Sequence, residues 1–243
     1  MSKNVLILGA NSDIAIATAR EFANHGDNII LASSNYEPLE HFAQDLKIRY
    51  GVEVSPYQFD ATDYESHKEF LENIGSIDGV VLAFGYMAEQ IDAQNNFTKA
   101  KKMVDVNYLG AISILELIAA SFEEKKGGFI VGISSVAGDR GRKANYLYGS
   151  TKAALSAYLS GLRNRLFESN VKVITVKPGF VATKMTEHLE LPAALTASKE
   201  QVASDIYKAV EKNIDVLYTK SIWRLVMWVI KHIPEFQFKK MSI

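Results

Sequence analysis

Short apolar runs rich in β-branched residues alternate along the chain with longer stretches whose apolar residues recur every three or four positions. Runs of the first kind suit strands buried on both faces of a sheet. Stretches of the second kind suit helices that lie on the sheet by one face. The pattern predicts strands over 4–8, 28–32, 53–58, 79–84, 128–133 and 172–177, with a weaker one over 215–218. It predicts helices over 13–25, 36–50, 97–125 and 146–169. Strands that alternate with helices pair in parallel, because each crossover helix returns the chain to the same end of the sheet. The expected fold is α/β, a doubly wound parallel sheet in a single domain over 1–220. Two segments break the rhythm, 184–198 and the tail 221–243.

The composition narrows the functional classes. A formal net charge of −1 over 243 residues provides no global field for nucleic acid, and no nucleic-acid partner is expected. Cysteine is absent, which removes disulfides, thiolate zinc sites and thiol catalysis and fits a reducing compartment. No metal site is expected. The first apolar run breaks at Gly9, too soon for a signal peptide, and no run of about 18 apolar residues is available to cross a bilayer. A cytoplasmic protein is the expectation.

The candidate chemistry lies in four places. Gly9-Ala10-Asn11-Ser12-Asp13-Ile14-Ala15 joins the first strand to the first helix. There a dinucleotide pyrophosphate meets backbone N–H groups and a helix dipole. Of a three-glycine pattern only Gly9 is kept, and Asp13 is read as a helix cap with its carboxylate turned from the phosphates. After the second strand, Ala32-Ser33-Ser34-Asn35 lacks the carboxylate that would hold the ribose hydroxyl of NAD. Ser33, Ser34 and Asn35 can donate to a phosphate, so NADP is preferred over NAD, with a plain polar turn as the alternative. Asp60, beside Ala61, either accepts from an adenine amine or caps the next helix. Tyr148 and Lys152 project from one face of a helix, where an ammonium lowers a neighbouring phenol's pKa and makes it a proton donor and acceptor near neutrality. Ser135 lies thirteen residues before Tyr148.

Together these motifs resemble the short-chain dehydrogenase/reductase family, over residues 1 to about 215 and in the family's order. Gly9…Asp13…Ala15 is similar to its nucleotide turn, and Phe59-Asp60-Ala61-Thr62-Asp63 to its adenine-side segment. Ala83-Phe84-Gly85 stands where Asn-Ala-Gly is usual. Val104-Asp105-Val106-Asn107 carries the helix asparagine, and Ile133-Ser134-Ser135-Val136-Ala137-Gly138 the serine. Pro178-Gly179-Phe180-Val181-Ala182-Thr183 is similar to the nicotinamide-side loop, with Pro178, Gly179, Val181 and Thr183 as cofactor contacts. The resemblance implies a Rossmann-type fold and hydride transfer with NAD(P). It implies that Tyr148 is the general acid or base and that Lys152 lowers its pKa and binds the nicotinamide ribose. Ser135, in competition with Ser134, would hold the substrate oxygen, and Asn107 would hold a water that relays protons to Lys152. The alternative for Asn107 is a buried amide bonded to nearby backbone. The resemblance also implies a homodimer or homotetramer built on helices around Asn107 and 146–169.

The two irregular segments bear on the substrate. In this family the region of 184–198 forms a lid, and here Met185, Leu189, Leu191, Pro192 and Leu195 make it apolar. Simple cover for the core is the even alternative. The tail, from Ile222 and Trp223 to Ile233, is apolar nearly all round and too short to span a bilayer. It suits an interfacial helix, a dimer arm or a flap on the substrate cleft. Its Trp223-Arg224…Met227 and His232-Ile233-Pro234, with Gly9…Ser12-Asp13-Ile14, resemble the reductases of decaprenylphosphoryl-ribose 2′-epimerisation. The reading is a carbonyl reductase for a lipid-linked or apolar substrate, with possible peripheral contact at the inner membrane face through 221–243. The alternatives are a soluble 3-oxoacyl-carrier-protein or small-ketone reductase and a non-catalytic dinucleotide sensor or scaffold. A sugar-nucleotide epimerase is disfavoured, because the chain lacks length for the extra substrate domain.

Overall fold

The computed structural model describes residues 2–184, 186 and 190–241. Seven strands form one parallel sheet: β1 (Asn4–Leu8), β2 (Asn28–Ser33), β3 (Val54–Gln58), β4 (Gly79–Leu82), β5 (Gly128–Ile133), β6 (Val171–Pro178) and, after two short strands described below, β9 (Val216–Thr219). Their order is β3-β2-β1-β4-β5-β6-β9, with Leu8 level with Ala32 on one side and Leu82 on the other. The direction of winding reverses between β1 and β4. At such a reversal the crossovers leave on opposite faces, and a crevice opens beyond the carboxyl ends of the strands.

Alternation along the strands builds two cores. Val5 and Ile7 point to the face covered by α1 (Asp13–Asn24), α2 (Glu37–Tyr50) and α8 (Lys199–Lys212). Leu6 and Leu8 point to the face covered by α3 (His67–Ile74), α6 (Ala111–Lys125) and α7 (Tyr146–Leu166). This is the period of two expected of a sheet buried on both faces. The strand pattern is met within one residue at each end, except that β4 stops two residues early at Leu82 and releases Ala83–Gly85 into the crevice. The pattern does not single out α8, whose inward residues are Val202, Ala203, Ile206, Ala209 and Val210.

The predicted helix over 97–125 is divided. After α4 (Gln90–Asn95), α5 (Phe97–Val104) gives way to one π-helical turn, Asp105–Gly110, before α6. The turn sits where two close contacts converge. The Asn107 amide is bonded to the backbone of Tyr86, and Gly110 packs so near the Ala61 carbonyl that a Cβ would lie 2.3 Å from its oxygen. By length and composition this helix passes as apolar enough to cross a membrane. Its inward residues, Ile114, Leu115, Ile118 and Phe122, are fully or almost fully buried, so it is a core helix.

A second, two-stranded sheet pairs β7 (Phe180–Ala182) with β8 (Thr196–Ser198). The tail forms α9 (Ile222–His232) and a last turn, α10 (Glu235–Phe238).

Candidate active site

The crevice is a cavity of about 770 Å³ lined from the carboxyl ends of β1, β2, β4, β5 and β6. Of the residues singled out from sequence, Gly9, Asn11, Ser12, Asp13, Ile14, Ser33, Ser34, Asp60, Ala61, Ala83, Gly85, Ser135, Tyr148, Lys152, Pro178, Gly179, Val181 and Thr183 line it. Asn107 does not. Its amide lies behind the wall at Gly85, where a glycine Cβ would be 3.4 Å from Asn107 Oδ1 and 3.5 Å from Lys152 Nζ.

The turn after β1 is fixed by backbone. The N–H groups of Gly9 and Ala10 both donate to the Ala32 carbonyl, at 2.8 and 3.0 Å. Gly9 has φ +81°, and a Cβ there would sit 2.5 Å from Phe84 N, so the position requires glycine. The cap of α1 is Ser12, whose Oγ accepts from Ala15 N at 3.2 Å, and not Asp13. Ser12 holds the extended backbone of a cap, whereas Asp13 is already the first helical residue. The Asp13 carboxylate is instead turned to the segment after β7. It accepts from Lys184 N at 2.8 Å and pairs with Lys199 Nζ at 3.3 Å. Burial alone would raise its pKa, but these donors outweigh burial and hold it below the usual carboxylate range. Asn11 donates to Ser33 Oγ and to the Asn35 carbonyl, tying the turn to the end of β2.

Asp60 caps no helix. Its Oδ1 accepts from both the N–H and the hydroxyl of Thr62 at 2.8 Å, a tight Asx turn, and its carbonyl bonds the buried His67 ring at 3.1 Å. The Thr62 N–H leads the contacts that keep the Asp60 carboxyl below its usual value.

The two adjacent serines separate cleanly. Ser134 is buried, with Oγ donating to the Lys152 carbonyl at 2.9 Å and lying 2.7 Å from Ser156 Oγ, so its hydroxyl braces β5 against α7. Ser135 lines the cavity together with Tyr148, and its Oγ accepts from Ala137 N at 3.0 Å. Lys152 is fully buried and donates to the Ile133 carbonyl at 3.0 Å, with Nζ 5.8 Å from the Tyr148 ring centre. Burial lowers its pKa to about 8. Burial also pushes the Tyr148 phenol up to about 12, opposed in part by the neighbouring Ser135 side chain. Burial, and not the ammonium, thus sets the direction for the phenol in this structure, where Lys152 is directed at a carbonyl.

Asn107 has all its polar groups engaged. Oδ1 accepts from Tyr86 N at 2.7 Å, while Nδ2 donates to Tyr86 O at 2.8 Å and to Thr151 Oγ1 at 3.0 Å. This is the buried-amide alternative, and it pins the strand exit to the π turn and α7.

The tail turns one face inward. Trp223 and Met227 are buried with Val136 and packed by Phe180, Leu195, Val226 and Ile230. Trp223 lines the cavity, lies against Gly179 and donates from Nε1 to the Leu195 carbonyl at 2.9 Å. Lys220 donates to the carbonyls of Ala193 and Ala194, both at 3.0 Å. Arg140 fastens the far end, donating from Nη1 to the carbonyls of Ile230 at 2.5 Å and Ile233 at 2.7 Å and pairing with Glu235. The flap reading thus describes this face. Within 184–198, Met185 and Leu189 lie outside the described residues. Leu191 lines a shallow hollow beside the cavity, Leu195 packs on α9, and Pro192 precedes a single helical turn, Ala193–Leu195.

Sequence reading missed several lining residues: Lys102, Arg142, Asn145 and Lys184. Spacing from Tyr148 could have suggested Asn145, the residue preceding its helix. Nothing in the pattern marks the others.

A match to the model of the short-chain dehydrogenases extends over residues 3–193. The chain belongs to this family. It is 33% identical over 245 residues to an uncharacterized oxidoreductase of Streptomyces coelicolor, with 99% of this chain and 96% of the relative covered. It is 30% identical over 237 residues to an NADP-dependent 3-hydroxy acid dehydrogenase of Schizosaccharomyces pombe, covering 94% of this chain and 86% of that one. Among solved structures, a short-chain dehydrogenase of Burkholderia cenocepacia in complex with NADP superposes with a TM-score of 0.85. It covers 100% of this chain and 98% of its own at 17% identity, a likeness of fold. As a short-chain dehydrogenase, this chain is an oxidoreductase.

Proposed function

We propose that this short-chain dehydrogenase is an NADP-preferring carbonyl reductase that can also run as a secondary-alcohol dehydrogenase. The observation that carries the reading is that Ser135, Tyr148 and the buried Lys152 line the same cavity as the Gly9 turn. The cavity fits a dinucleotide: Gly9 leaves room that a Cβ would fill, and the start of α1 opens into it. Ser33 and Ser34, with no carboxylate at the end of β2, favour a phosphate over a bare ribose hydroxyl. The Schizosaccharomyces pombe relative, NADP-dependent by name, agrees.

NADPH supplies the hydride. Ser135 Oγ and Tyr148 Oη hold the substrate carbonyl oxygen, and the Tyr148 phenol gives it a proton as charge develops. A phenol at about 12 carries its proton at neutral pH, ready for this direction, and the phenolate needed as base in the reverse direction is scarce there. Lys152 provides the positive field that offsets the phenolate. Asn107 acts as a positioning residue that holds Tyr86 and Thr151 in place. The test is NADPH oxidation with a ketone panel, compared with NADH and with Tyr148→Phe. Wild-type turnover that is faster with NADPH and is lost in Tyr148→Phe is expected. Near-normal turnover in Tyr148→Phe would sink the assignment, and cofactor binding without turnover on any carbonyl would favour a dinucleotide sensor.

The outer face of α9 supports a finer reading. Ile222, Leu225, Trp228 and Val229 are exposed there, and Lys231, Lys239 and Lys240 are exposed beside them. This arrangement suits contact with an anionic membrane surface and a carbonyl substrate that carries an apolar or lipid-linked portion. A homo-oligomer through the outer faces of α6 and α7, where Leu117 is exposed, completes the proposal. Flotation with anionic liposomes separates the two uses of the tail: a chain that stays with the soluble fraction and changes oligomeric state on loss of 221–243 would favour a subunit arm and a soluble ketone or carrier-bound acyl substrate.

A further inference from the structure

Four cations line the cavity: Lys102, Arg142, Lys152 and Lys184. Three are accounted for. Lys152 donates to the Ile133 carbonyl. Lys102 lies over the Tyr86 ring and in the field of Asp60, and Lys184 lies in the field of Asp13.

Arg142 is different. It sits in the loop between Ser135 and Tyr148, the two residues proposed to hold the reacting oxygen. Among the described residues the carboxylate that bears on it is Asp139, and both oxygens of Asp139 are already committed, Oδ1 to Lys177 and Oδ2 to the Tyr218 hydroxyl. The Arg142 guanidinium has no hydrogen-bond or ion-pair partner among the described residues, and its Nε is buried. Asn145, three residues on, also lines the cavity, and its buried Oδ1 likewise has no donor. A permanently charged group on a partly buried wall is costly unless an anion completes it, and a guanidinium fork matches two oxygens of a carboxylate or phosphate. The ribose phosphate of NADP is not that anion. Ser33 and Ser34 end β2, which stands three places from β5 in the sheet, about 14 Å away at the usual strand spacing.

We propose that Arg142 determines specificity by receiving a carboxylate or phosphate group of the carbonyl substrate, with Asn145 accepting from a neighbouring hydroxyl. The physiological substrate is then an anionic ketone or alcohol, a conclusion that rests on the reductase reading above. No new bond is involved; the anion sets the position of the carbonyl beside Tyr148.

The test compares matched pairs, acetoacetate with ethyl acetoacetate and dihydroxyacetone phosphate with dihydroxyacetone, in the wild-type full-length chain, Arg142→Met and Arg142→Lys. The charged-to-neutral ratio of kcat/KM should fall roughly 10–100-fold in Arg142→Met, the value of one charge-assisted hydrogen bond, and recover in part in Arg142→Lys. The pair that responds names the anionic group. A second readout needs no turnover: quenching of tryptophan fluorescence, with Trp223 in the same cavity, as NADP-loaded protein is titrated with inorganic phosphate or malonate. Saturable quenching in wild type that is lost in Arg142→Met is expected. Ratios and anion affinities that do not change in Arg142→Met overturn the inference while hydride transfer persists. Arg142-dependent anion binding with no hydride transfer in any variant overturns the reductase reading instead.

Discussion

The two halves of the cavity are built by different means. The nucleotide half is made of backbone: Gly9 and Ala10 bond to Ala32, Ala83 bonds to Leu8, and a glycine allows the turn to press against Phe84. Its parts are neighbours in the sheet and cannot move without breaking strand pairing. The substrate half is made of side chains from distant segments. Arg140 grips the carbonyls of α9 ninety residues away, Trp223 reaches Leu195, and Lys220 reaches Ala193. On the proposed reading, the difference teaches that this chain separates a backbone-built site for a common cofactor from a clamped, replaceable wall for a particular substrate. Perturbations should therefore act on one half at a time.

Tyr148→Phe is expected to have the largest effect, a loss of roughly 10²–10⁴-fold in kcat with NADPH affinity retained, since it removes the proton donor and little else. Gly9→Ala strikes the nucleotide half. With φ +81° and a Cβ 2.5 Å from Phe84 N, it should cost about 2–4 kcal/mol in urea unfolding and weaken NADPH binding. Gly51→Ala is its control, because φ is +68° but nothing lies within 4 Å, and about 1 kcal/mol is expected. Arg140→Met strikes the substrate half. Loss of its charged hydrogen bonds should cost about 2 kcal/mol, raise the KM of a ketone, expose the chain near 222–241 to protease, and leave NADPH affinity intact. Equal effects on both ligands would break the separation.

A further effect concerns pH. Lys152 titrates at about 8 in the folded chain against an ordinary value of 10.5. Between those values the unfolded chain binds a proton that the folded chain does not, so stability rises with pH across that window. The rise should approach about 3 kcal/mol and be absent in Lys152→Met, as read from urea midpoints. Tyr148 acts in the opposite sense above pH 10, where the unfolded phenol ionises first. A window unchanged in Lys152→Met would show that the lysine is not desolvated as described.

Much of this architecture was legible in the chain. β1 and β5 have the predicted bounds, because an all-apolar strand between polar turns admits little choice. The Tyr148 and Lys152 pair follows from helical spacing, which fixes which side chains share a face, whereas the Gly9 turn and Ser135 follow from the resemblance to the family. Partnership across the fold was not legible. Asp13 reads as a cap, yet it is held by Lys184 and Lys199, which arrive 171 and 186 residues later. The tail reads as apolar all round because periodicity reports that a face is buried and not what buries it. Arg142 looks like any loop arginine until the commitments of Asp139 are known.

The central claim is that this cavity directs hydride to the carbon of a carbonyl whose oxygen is held by Ser135 and protonated by Tyr148. The most direct measurement is single-turnover transfer from NADPH carrying deuterium at the transferable position, followed by mass spectrometry of the product alcohol. The account predicts deuterium on the carbinol carbon with wild type and none with Tyr148→Phe, although both bind NADPH. Equal labelling by the two proteins, or tight NADPH binding by wild type with no label on any carbonyl offered, would contradict it.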